Sequence, residues 1–326
     1  MSFTTDILYV IGNGFDIHHG LKTSYKEFAI FLKNEDIELY SDINKFIDLK
    51  NLEDNLWYKF EEDLARLKMD DIFDYLKNYL PDSLSPILEE RDLEEFPNEV
   101  KNLLKVISEG IIENFSKFIK NIACDNSGFE LAINLKKNAH FLTFNFTKTL
   151  EIYYKISPKD ICYIHNSPFW SNEPLILGHG TPPEELLPST IFPPNHLKSK
   201  EKEIWEYEKH ADYLVHGQRS FLDYYAQTFK HTTEIISKFE SFFNSLNSVN
   251  QIYVLGHSLS KIDRPYFQKI IESVKNSASW NVTYLDDADL QNHKKTLRSL
   301  GISKNKINLL KLSEMKIWNN QLSFNF

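Results

Sequence analysis

The 326-residue chain has only two cysteines, Cys124 and Cys162, and they are not spaced like metal ligands. We therefore expect free, buried thiols in a reducing compartment, and no metal site. No stretch reaches the roughly 18 consecutive apolar residues that a membrane-spanning helix needs. The N-terminus also has no signal-peptide pattern. These absences predict a cytoplasmic protein with no membrane partner.

Basic residues are outnumbered as well. The chain has 37 Lys and Arg but 46 Asp and Glu, which gives a formal net charge of -9. Nonspecific binding to nucleic acid needs clustered basic residues that displace counterions from phosphates. We therefore expect no nucleic-acid partner, although a local basic patch is compatible with this charge. Apolar residues make up 42% of the chain. This length and composition predict a substantial core, in one large domain with an insertion or in two domains.

The most informative stretch covers residues 6–25, with the sequence DILYVIGNGFDIHHGLKTSY. Residues 7–11 form an apolar run that predicts a buried strand, and residues 22–32 have helical spacing. Between them, Gly12-Asn13-Gly14 predicts a tight turn. A strand, a glycine turn and a helix begin many nucleotide-binding α/β units, in which glycines let the backbone approach a phosphate. The dinucleotide fingerprint G-x-G-x-x-G is incomplete, however, since the third glycine is Gly20. A turn that binds no ligand is the alternative.

The rest of the chain divides into a helical part and a part with alternating strands and helices. Residues 34–138 have helical spacing without a convincing strand, which predicts a mainly helical insertion. Residues 1–33 and 139–326 then form an α/β nucleotide-binding core. Further strands are predicted at 140–144, 161–164, 175–177, 251–255, 280–285 and 307–312, and a long helix at 220–246. This alternation predicts a mostly parallel, Rossmann-like sheet.

Polar residues follow six of the predicted strands. The clusters are Gly12-Asn13-Gly14-Phe15-Asp16, Asn145-Phe146-Thr147, His165-Asn166, Gly178-His179-Gly180, Gly256-His257-Ser258 and Asp286-Asp287. Ligands of open parallel sheets bind beyond the carboxyl ends of the strands, so we expect these clusters to meet at one crevice. Each cluster alone has a structural alternative. Asn145 or Ser258 could cap a helix, and His165 could be an ordinary surface histidine.

Several of these motifs resemble the AbiH family of bacterial abortive-infection proteins. The longest matching stretch joins VIGNGFD at 10–16 to GLKTSY at 20–25. Further matches are Leu56-Trp57 with Phe60-Glu61, TFNFT at 143–147 with Leu150-Glu151, Ile164-His165, and LGHS at 255–258. The resemblance runs from residue 10 to about 265 and implies a role in phage defence.

AbiH proteins in turn resemble sirtuin-type NAD-binding domains, which implies a sirtuin-like core here. The ligand-binding residues expected from this likeness and from the strand ends are Gly12, Asn13, Gly14, Phe15, Thr143, Gly256, His257 and Ser258. Two positions depart from the sirtuin-type pattern. Thr147 stands where that pattern has an aspartate, and Asn166 replaces the glycine after the histidine. Both departures bear on the contacts with a ribose.

In NAD-cleaving members of that wider group, an asparagine and a histidine act at the nicotinamide ribose. The resemblance places these roles on Asn145 and His165. A histidine that titrates near neutrality can take a proton from water or from a ribose hydroxyl. An asparagine amide can orient the water, and a carboxylate such as Asp16 or Glu61 could stabilise positive charge on the ribose. We therefore predict hydrolysis of the N-glycosidic bond of NAD or a related nucleotide, with NAD as substrate or ligand and no true cofactor.

Two of the acidic residues have structural alternatives. Glu61 follows an apolar stripe on a predicted helix, where an exposed glutamate is common. Asp286 and Asp287 could bind the adenosine ribose hydroxyls, and a helix N-cap is an equally good interpretation of Asp287.

Other functions are also compatible with the sequence. Gly256-His257-Ser258-Leu259-Ser260 resembles the nucleophile elbow of serine hydrolases with Ser258 as nucleophile, but the only later histidine is His293, inside a helical pattern. A nucleotide sensor that signals through its assembly is a further alternative. A metal nuclease that uses Asp16, His18 and His19 is another, but the sequence places no second carboxylate cluster that would complete its metal site.

An NAD-cleaving enzyme would kill its own host unless it were controlled. Control could come from a homo-oligomer, from a partner defence protein, or from the proline-rich segment 181–202 acting as a flap.

Overall fold

The computed structural model describes residues 5–50, 57–79, 90–124, 127–186 and 211–315. The chain forms two compact units. The first comprises Met1–Ser24, Ser116–Ile176 and His231–Phe326, and the second comprises Tyr25–Phe115 and Leu177–Lys230. The boundaries expected for a helical insertion, 34 and 138, stay a prediction. Within the described ranges, no helix combines the length and the apolar character that crossing a bilayer requires.

The first unit contains a six-stranded parallel sheet with the order β3-β2-β1-β4-β5-β6. The strands are β1 (Ile7–Ile11), β2 (His140–Thr143), β3 (Ile161–Tyr163), β4 (Gln251–Leu255), β5 (Ser279–Tyr284) and β6 (Ile307–Lys311). Every strand pair is parallel, with Val10 of β1 opposite Leu142 on one side and Val254 on the other. This is the order of doubly wound nucleotide-binding sheets, in which the direction of winding changes between β1 and β4. The predicted α/β, Rossmann-like fold is confirmed.

Helices occupy most of the remaining described chain. They are α1 (Asn13–His18), α2 (Tyr25–Glu35), α3 (Ile37–Phe46), α4 (Phe60–Asp63), α5 (Met69–Leu76), α6 (Glu90–Asn121), α7 (Ser127–Glu130), α8 (Thr149–Tyr154), α9 (Ala211–Gln227), α10 (Thr232–Lys238), α11 (Glu240–Asn244), α12 (Arg264–Ser273) and α13 (Asp287–Ser299). The six-residue α1 directly after β1 was not predicted, since only the later spacing at 22–32 indicated a helix.

Both faces of the sheet are covered by apolar side chains. Successive side chains of a strand alternate between faces, so Leu8 and Val10 pack into one cluster while Tyr9 and Ile11 pack into another. All five residues of β1 are buried. A strand that is buried on both faces must be apolar throughout, which explains the uninterrupted run ILYVI. Burial of each large aliphatic side chain stabilises the fold by about 1.5–3 kcal/mol.

The prediction of a strand at 175–177 is wrong. This segment has no regular structure, and its Ile176 N–H donates to the carbonyl oxygen of His165 at 3.0 Å. The prediction of one continuous helix at 220–246 is also wrong, because α9 ends at Gln227 and α10 begins only at Thr232. Between them, Lys230 N–H donates to the His179 carbonyl oxygen, and His179 N–H donates to the Thr228 carbonyl oxygen, both at 2.8 Å. These extended-chain bonds replace the helical ones.

Most of the segment predicted to act as a flap, 181–202, lies outside the described residues, which end at 186 on this side.

Candidate functional site

The parallel sheet brings the carboxyl ends of its strands to one edge. The residues that follow β1, β2, β3 and β4 at this edge are Gly12, Phe144-Asn145, Ile164-His165 and Gly256-His257. Hydrogen bonds and ring contacts join these strand ends to one another. The sequence therefore identified a group of residues that meet in the folded first unit.

The turn after β1 touches the turn after β4 backbone to backbone. Gly12 N–H donates to the Leu255 carbonyl oxygen at 2.9 Å, and Gly14 N–H donates to the Gly256 carbonyl oxygen at 2.7 Å. A Cβ on Gly12 would lie 2.6 Å from the Cα of His257. Side chains larger than hydrogen are therefore excluded from this contact, so the glycines allow one turn to approach the other. Phosphate binding by the turn stays a prediction.

Asn145 ties the end of β2 to the turn after β1. Its Nδ2 donates to the Gly12 carbonyl oxygen at 3.0 Å, and its backbone N–H donates to Thr143 Oγ1 at 3.1 Å. The side chain is buried, and its amide also hydrogen-bonds to the carboxylate of Asp16. Within the described chain, nothing donates to Asn145 Oδ1, so this oxygen is the group that Asn145 can offer to a ligand or water. Asn145 is not a helix cap, since Lys148 occupies the N-cap position of α8.

Asp16 is a fully buried carboxylate with 1% exposure. Thr147 Oγ1 donates to its Oδ2 at 2.7 Å, and Thr149 Oγ1 donates to its Oδ1 at 2.6 Å. Burial raises the pKa of Asp16 to about 6, against the opposing effect of hydrogen bonds from Thr149, Thr147 and Asn145. Thr147, which departs from the sirtuin-type pattern, thus has a defined partner in Asp16. With both oxygens occupied, Asp16 holds Asn145 and the two threonines in place.

The ring of Phe144 contacts two buried histidines. Its centroid lies 5.2 Å from that of His165 and 4.4 Å from that of His257, and both pairs are edge-to-face. His165 is 4% exposed, and it also contacts Tyr266 at 5.6 Å. The interpretation of His165 as a surface histidine is therefore wrong.

Asn166, the second departure from the sirtuin-type pattern, has a φ of 65°. This left-handed conformation favours glycine, and asparagine is among the few other residues that adopt it readily. Its Nδ2 also donates to the Pro174 carbonyl oxygen at 2.7 Å. The backbone geometry thus explains why asparagine can stand at a position where the pattern has glycine.

His257 is held on both ring nitrogens. Leu259 N–H donates to its Nδ1 at 2.9 Å, and its Nε2 lies 3.6 Å from Asp263 Oδ2. The same carboxylate oxygen accepts a hydrogen bond from Ser260 Oγ at 2.9 Å. These contacts suit His257 to fixing the turn after β4.

Two other predicted ligand-binding residues have different surroundings. The Phe15 ring lies in the core with 0% exposure and contacts His19 and Tyr154.

Ser258 is exposed and does not cap a helix, since Asp263 precedes α12 at its N-cap. The late histidine that a serine hydrolase would need, His293, pairs with Asp289 on α13 at 3.0 Å. The described contacts therefore give Ser258 no histidine partner.

Glu61 belongs to the second unit. Its Oε2 lies 2.6 Å from Lys230 Nζ, and its Oε1 accepts a hydrogen bond from the Tyr25 hydroxyl. The Lys230 side chain is only 1% exposed, and Glu61 places a counter-charge beside its buried ammonium group. His179, from another of the predicted polar clusters, is also in this unit, and burial lowers its pKa to about 4. A role for Glu61 at a ribose stays a prediction.

The acidic cluster after β5 caps a helix, but the capping residue is Asp286 and not, as expected from the sequence, Asp287. Asp286 is the N-cap of α13 and accepts a hydrogen bond from Asp289 N–H at 2.9 Å, whereas Asp287 is the first helical residue. Ribose binding by Asp286 stays a prediction.

The metal-nuclease alternative finds no support. Among the described residues, no group of three or more His, Cys, Asp or Glu side chains could hold a metal ion. The His19 ring nitrogens lie 2.7 Å from the Phe15 carbonyl oxygen and 2.7 Å from the Tyr154 hydroxyl. His18 Nε2 lies 2.9 Å from the Leu131 carbonyl oxygen. Both histidines are therefore engaged within the fold.

Sequence reasoning missed Thr149, Lys230 and Asp263. Thr149 meets Asp16 across 133 positions, and Lys230 approaches Glu61 from a segment predicted to be helical. No local pattern signals contacts of this kind.

The chain matches a known protein family. A family model described as bacteriophage abortive infection AbiH covers residues 8–284, which include the strand ends from β1 to β5. No curated protein matches the chain.

Proposed function

The chain belongs to the AbiH family of bacteriophage abortive infection proteins, and on this basis we propose that it hydrolyses the N-glycosidic bond of NAD or a related nucleotide. The family points to an antiphage role by abortive infection. Hydrolysis of a central metabolite would give that role a chemical basis, because depletion of the metabolite stops the growth of an infected cell.

The observation that carries the proposal is the fixed orientation of Asn145. Its Nδ2 is committed to the Gly12 carbonyl oxygen and to Asp16, so its Oδ1 is the free acceptor at the carboxyl edge. Ligands of sheets with this strand order bind at this edge, close to the point between β1 and β4 where the winding reverses. The glycine turn, Asn145 and His165 also resemble positions of sirtuin-type NAD-binding domains, and this likeness supports the same proposal.

In the proposed reaction, water displaces the base from the ribose. The bond between the ribose C1′ and the nicotinamide nitrogen breaks, and its electron pair leaves with nicotinamide as a neutral molecule. Asn145 Oδ1 accepts a hydrogen bond from water and directs the water oxygen to C1′. His165 takes the proton that the water loses as the new C–O bond forms. The products are nicotinamide, ADP-ribose and one proton.

Asp16 supports this chemistry from behind Asn145. It lies beneath the site with 1% exposure and hydrogen-bonds to the Asn145 amide. Positive charge develops on the ribose in the transition state, and a preorganised negative charge nearby stabilises it. Asp16 therefore acts as a positioning residue that also contributes to the local electrostatic field.

Product analysis tests the proposal. Purified protein is incubated separately with NAD, ATP and RNA, and the products are separated by chromatography. We expect nicotinamide and ADP-ribose from NAD, and loss of both products in Asn145→Ala and in His165→Ala. Exposed Asn134 and exposed His231 provide matched controls, and Asn134→Ala and His231→Ala should keep wild-type activity. Activity that survives in the first two variants and disappears in Ser258→Ala would instead favour a serine hydrolase.

A second candidate function is a nucleotide sensor without turnover. The burial of Asn145 and His165, at 6% and 4% exposure, favours it, because a closed site restricts exchange of substrate and product. Tight nucleotide binding with no product from any of the three substrates would support the sensor and contradict the hydrolase.

A further inference from the structure

A groove of about 580 Å³ lies in the first unit, at the amino ends of β2 and β3. Its lining includes Lys137, His140, Lys159, Cys162, Phe239 and Phe242. Because the sheet is parallel, these amino ends lie at the edge opposite the carboxyl ends that hold Asn145 and His165. None of the residues assigned to the candidate site lines this groove. Small-molecule sites in proteins usually measure about 300–1,000 Å³, so the groove is large enough for a nucleotide-sized ligand.

Two lysines make the groove a basic spot on an acidic protein. Lys137 and Lys159 are both exposed, and no ion-pair partner is found for either one among the described residues. Acidic residues exceed basic ones by nine over the whole chain, so partners would be readily available elsewhere. Asp160 is the one carboxylate in the lining. Exposed ammonium groups of lysines that line a groove suit an anionic group such as a phosphate.

The other part of the lining is aromatic. Phe239 and Phe242 are half-buried, so each leaves part of its ring accessible. The His140 ring meets Phe242 edge-to-face with centroids 6.1 Å apart. Any of the nucleic-acid bases can stack on such rings, because every base has a flat aromatic face. His140 adds a hydrogen-bonding nitrogen, and burial lowers its pKa, so it stays neutral at pH 7 and adds no charge.

We infer that this groove binds a mononucleotide, with the base against Phe239 and Phe242 and the phosphate at Lys137 and Lys159. The inference goes beyond the proposed function, since it concerns the opposite edge of the sheet and requires no turnover. The two strands that start at the groove, β2 and β3, are the ones that lead to Asn145 and His165.

Binding of AMP, GMP, CMP and UMP by isothermal titration calorimetry tests this inference. The Asn145→Ala variant of the full chain is used alongside wild type, so that ligand at the carboxyl edge can be distinguished from ligand in the groove. Lys137→Ala/Lys159→Ala should weaken mononucleotide binding at least about tenfold, because two charge-assisted contacts are lost. The neighbouring exposed Lys136 is a matched control, and Lys136→Ala should bind as wild type does.

Ligand fragments separate the two halves of the groove. Adenosine, which has no phosphate, should bind equally to wild type and to the double lysine variant. Phe242→Leu should weaken binding of both adenosine and AMP. Inorganic phosphate should compete with AMP in wild type but not in the double lysine variant. The inference is overturned if none of the four mononucleotides binds, or if binding is unchanged in the groove variants. It is equally overturned if binding disappears in Asn145→Ala protein that circular dichroism shows to be folded. Nicotinamide release plays no part in these outcomes, so they stand or fall independently of the proposed hydrolysis.

Discussion

The side-chain amide of Asn145 donates a hydrogen bond to the carbonyl oxygen of Gly12 at 3.0 Å, across 133 positions of sequence. The bond joins the end of β2 to the turn after β1, and both groups are buried. It fixes the orientation of the asparagine, since the nitrogen side faces the protein and the oxygen side remains available. The same contact therefore stabilises the carboxyl edge and prepares the group on which the proposed chemistry depends.

Removal of the Asn145 amide should destabilise the fold as well as abolish activity. Asn145→Ala removes the hydrogen bonds from its amide to the Gly12 carbonyl oxygen and to Asp16, and loss of two such bonds costs about 1–3 kcal/mol. Urea denaturation should show a lower free energy of unfolding by that amount. Exposed Asn134 serves as the control, and Asn134→Ala should change it by less than about 0.5 kcal/mol. Equal stability of the two variants would mean that the bond contributes nothing.

Asp16→Asn should have opposite effects on stability and activity. The pKa of Asp16 is about 6 in the folded protein and 3.8 in an exposed carboxyl, so the folded state binds more protons between these pH values. Ionisation of the buried carboxyl therefore lowers the free energy of unfolding. The loss reaches about 3 kcal/mol above pH 6 and is absent below pH 3.8. We expect Asp16→Asn to raise the free energy of unfolding by about 1–3 kcal/mol at pH 8, with the gain lost near pH 4.

Nicotinamide release by Asp16→Asn should fall in the same preparations at pH 8, because the negative charge behind Asn145 is lost. A variant that is less stable than wild type at pH 8 would contradict the account of Asp16. So would a variant that is more stable and fully active.

Acid should destabilise the second unit through His179. Its pKa is about 4 when folded and 6.5 in an exposed histidine. Between these values the unfolded chain binds a proton that the folded state does not, so stability falls as pH drops from 6.5 to 4. His179→Gln should flatten this dependence in urea denaturation at pH 7, 5.5 and 4.5. An unchanged slope would contradict the assignment. In the first unit, the lowered pKa of His19 likewise reduces stability as the pH drops, but the raised pKa of Asp16 increases stability over the same range.

The Glu61–Lys230 pair should behave as a buried ion pair. Glu61→Gln removes the carboxylate that lies 2.6 Å from the Lys230 ammonium group, whose side chain is 1% exposed. Loss of one partner of such a pair typically costs about 3–5 kcal/mol. Adding Lys230→Met removes the uncompensated charge and should restore most of the lost free energy of unfolding. If Glu61→Gln is as stable as wild type, Lys230 is compensated by other groups.

Gly256 should tolerate no side chain. It has a φ of 63°, and a Cβ there would lie 2.1 Å from the Phe15 nitrogen. Gly256→Ala combines a left-handed backbone with overpacking, which together cost about 3 kcal/mol or more. Gly301 is a matched control, because its φ is 86° and, apart from its chain neighbours, no atom of the described residues lies within 4 Å of its Cβ position. Gly301→Ala should cost only about 1–2 kcal/mol. Similar losses of stability in both variants would contradict the tight contact between the turns.

The strands that carry the candidate site could be predicted because their signal is local. Residues 7–11 and 251–255 are apolar runs bounded by glycine, as expected of strands buried on both faces, and both are strands. Polar residues after such strands could be placed at one edge because parallel strands share their direction. The grouping of Gly12, Asn145 and Gly256 therefore followed from topology alone.

The errors arose where long-range contacts decide the structure. The chain leaves the helix at 228 because Lys230 and Thr228 bond to His179, about 50 positions earlier. Residues 175–177 looked like a strand because they are apolar, but they make one hydrogen bond to His165 and no ladder. The cap after β5 was assigned one residue too late, since Asp286 and Asp287 are equally good caps by type. Only backbone geometry distinguishes them.

Nicotinamide release from NAD by the wild-type protein, compared with Asn145→Ala and His165→Ala, tests the central claim most directly. The account predicts equal amounts of nicotinamide and ADP-ribose from wild type. It also predicts loss of both products in each variant and wild-type yields in Asn134→Ala. Nicotinamide released at the wild-type rate by the Asn145→Ala and His165→Ala variants would contradict it.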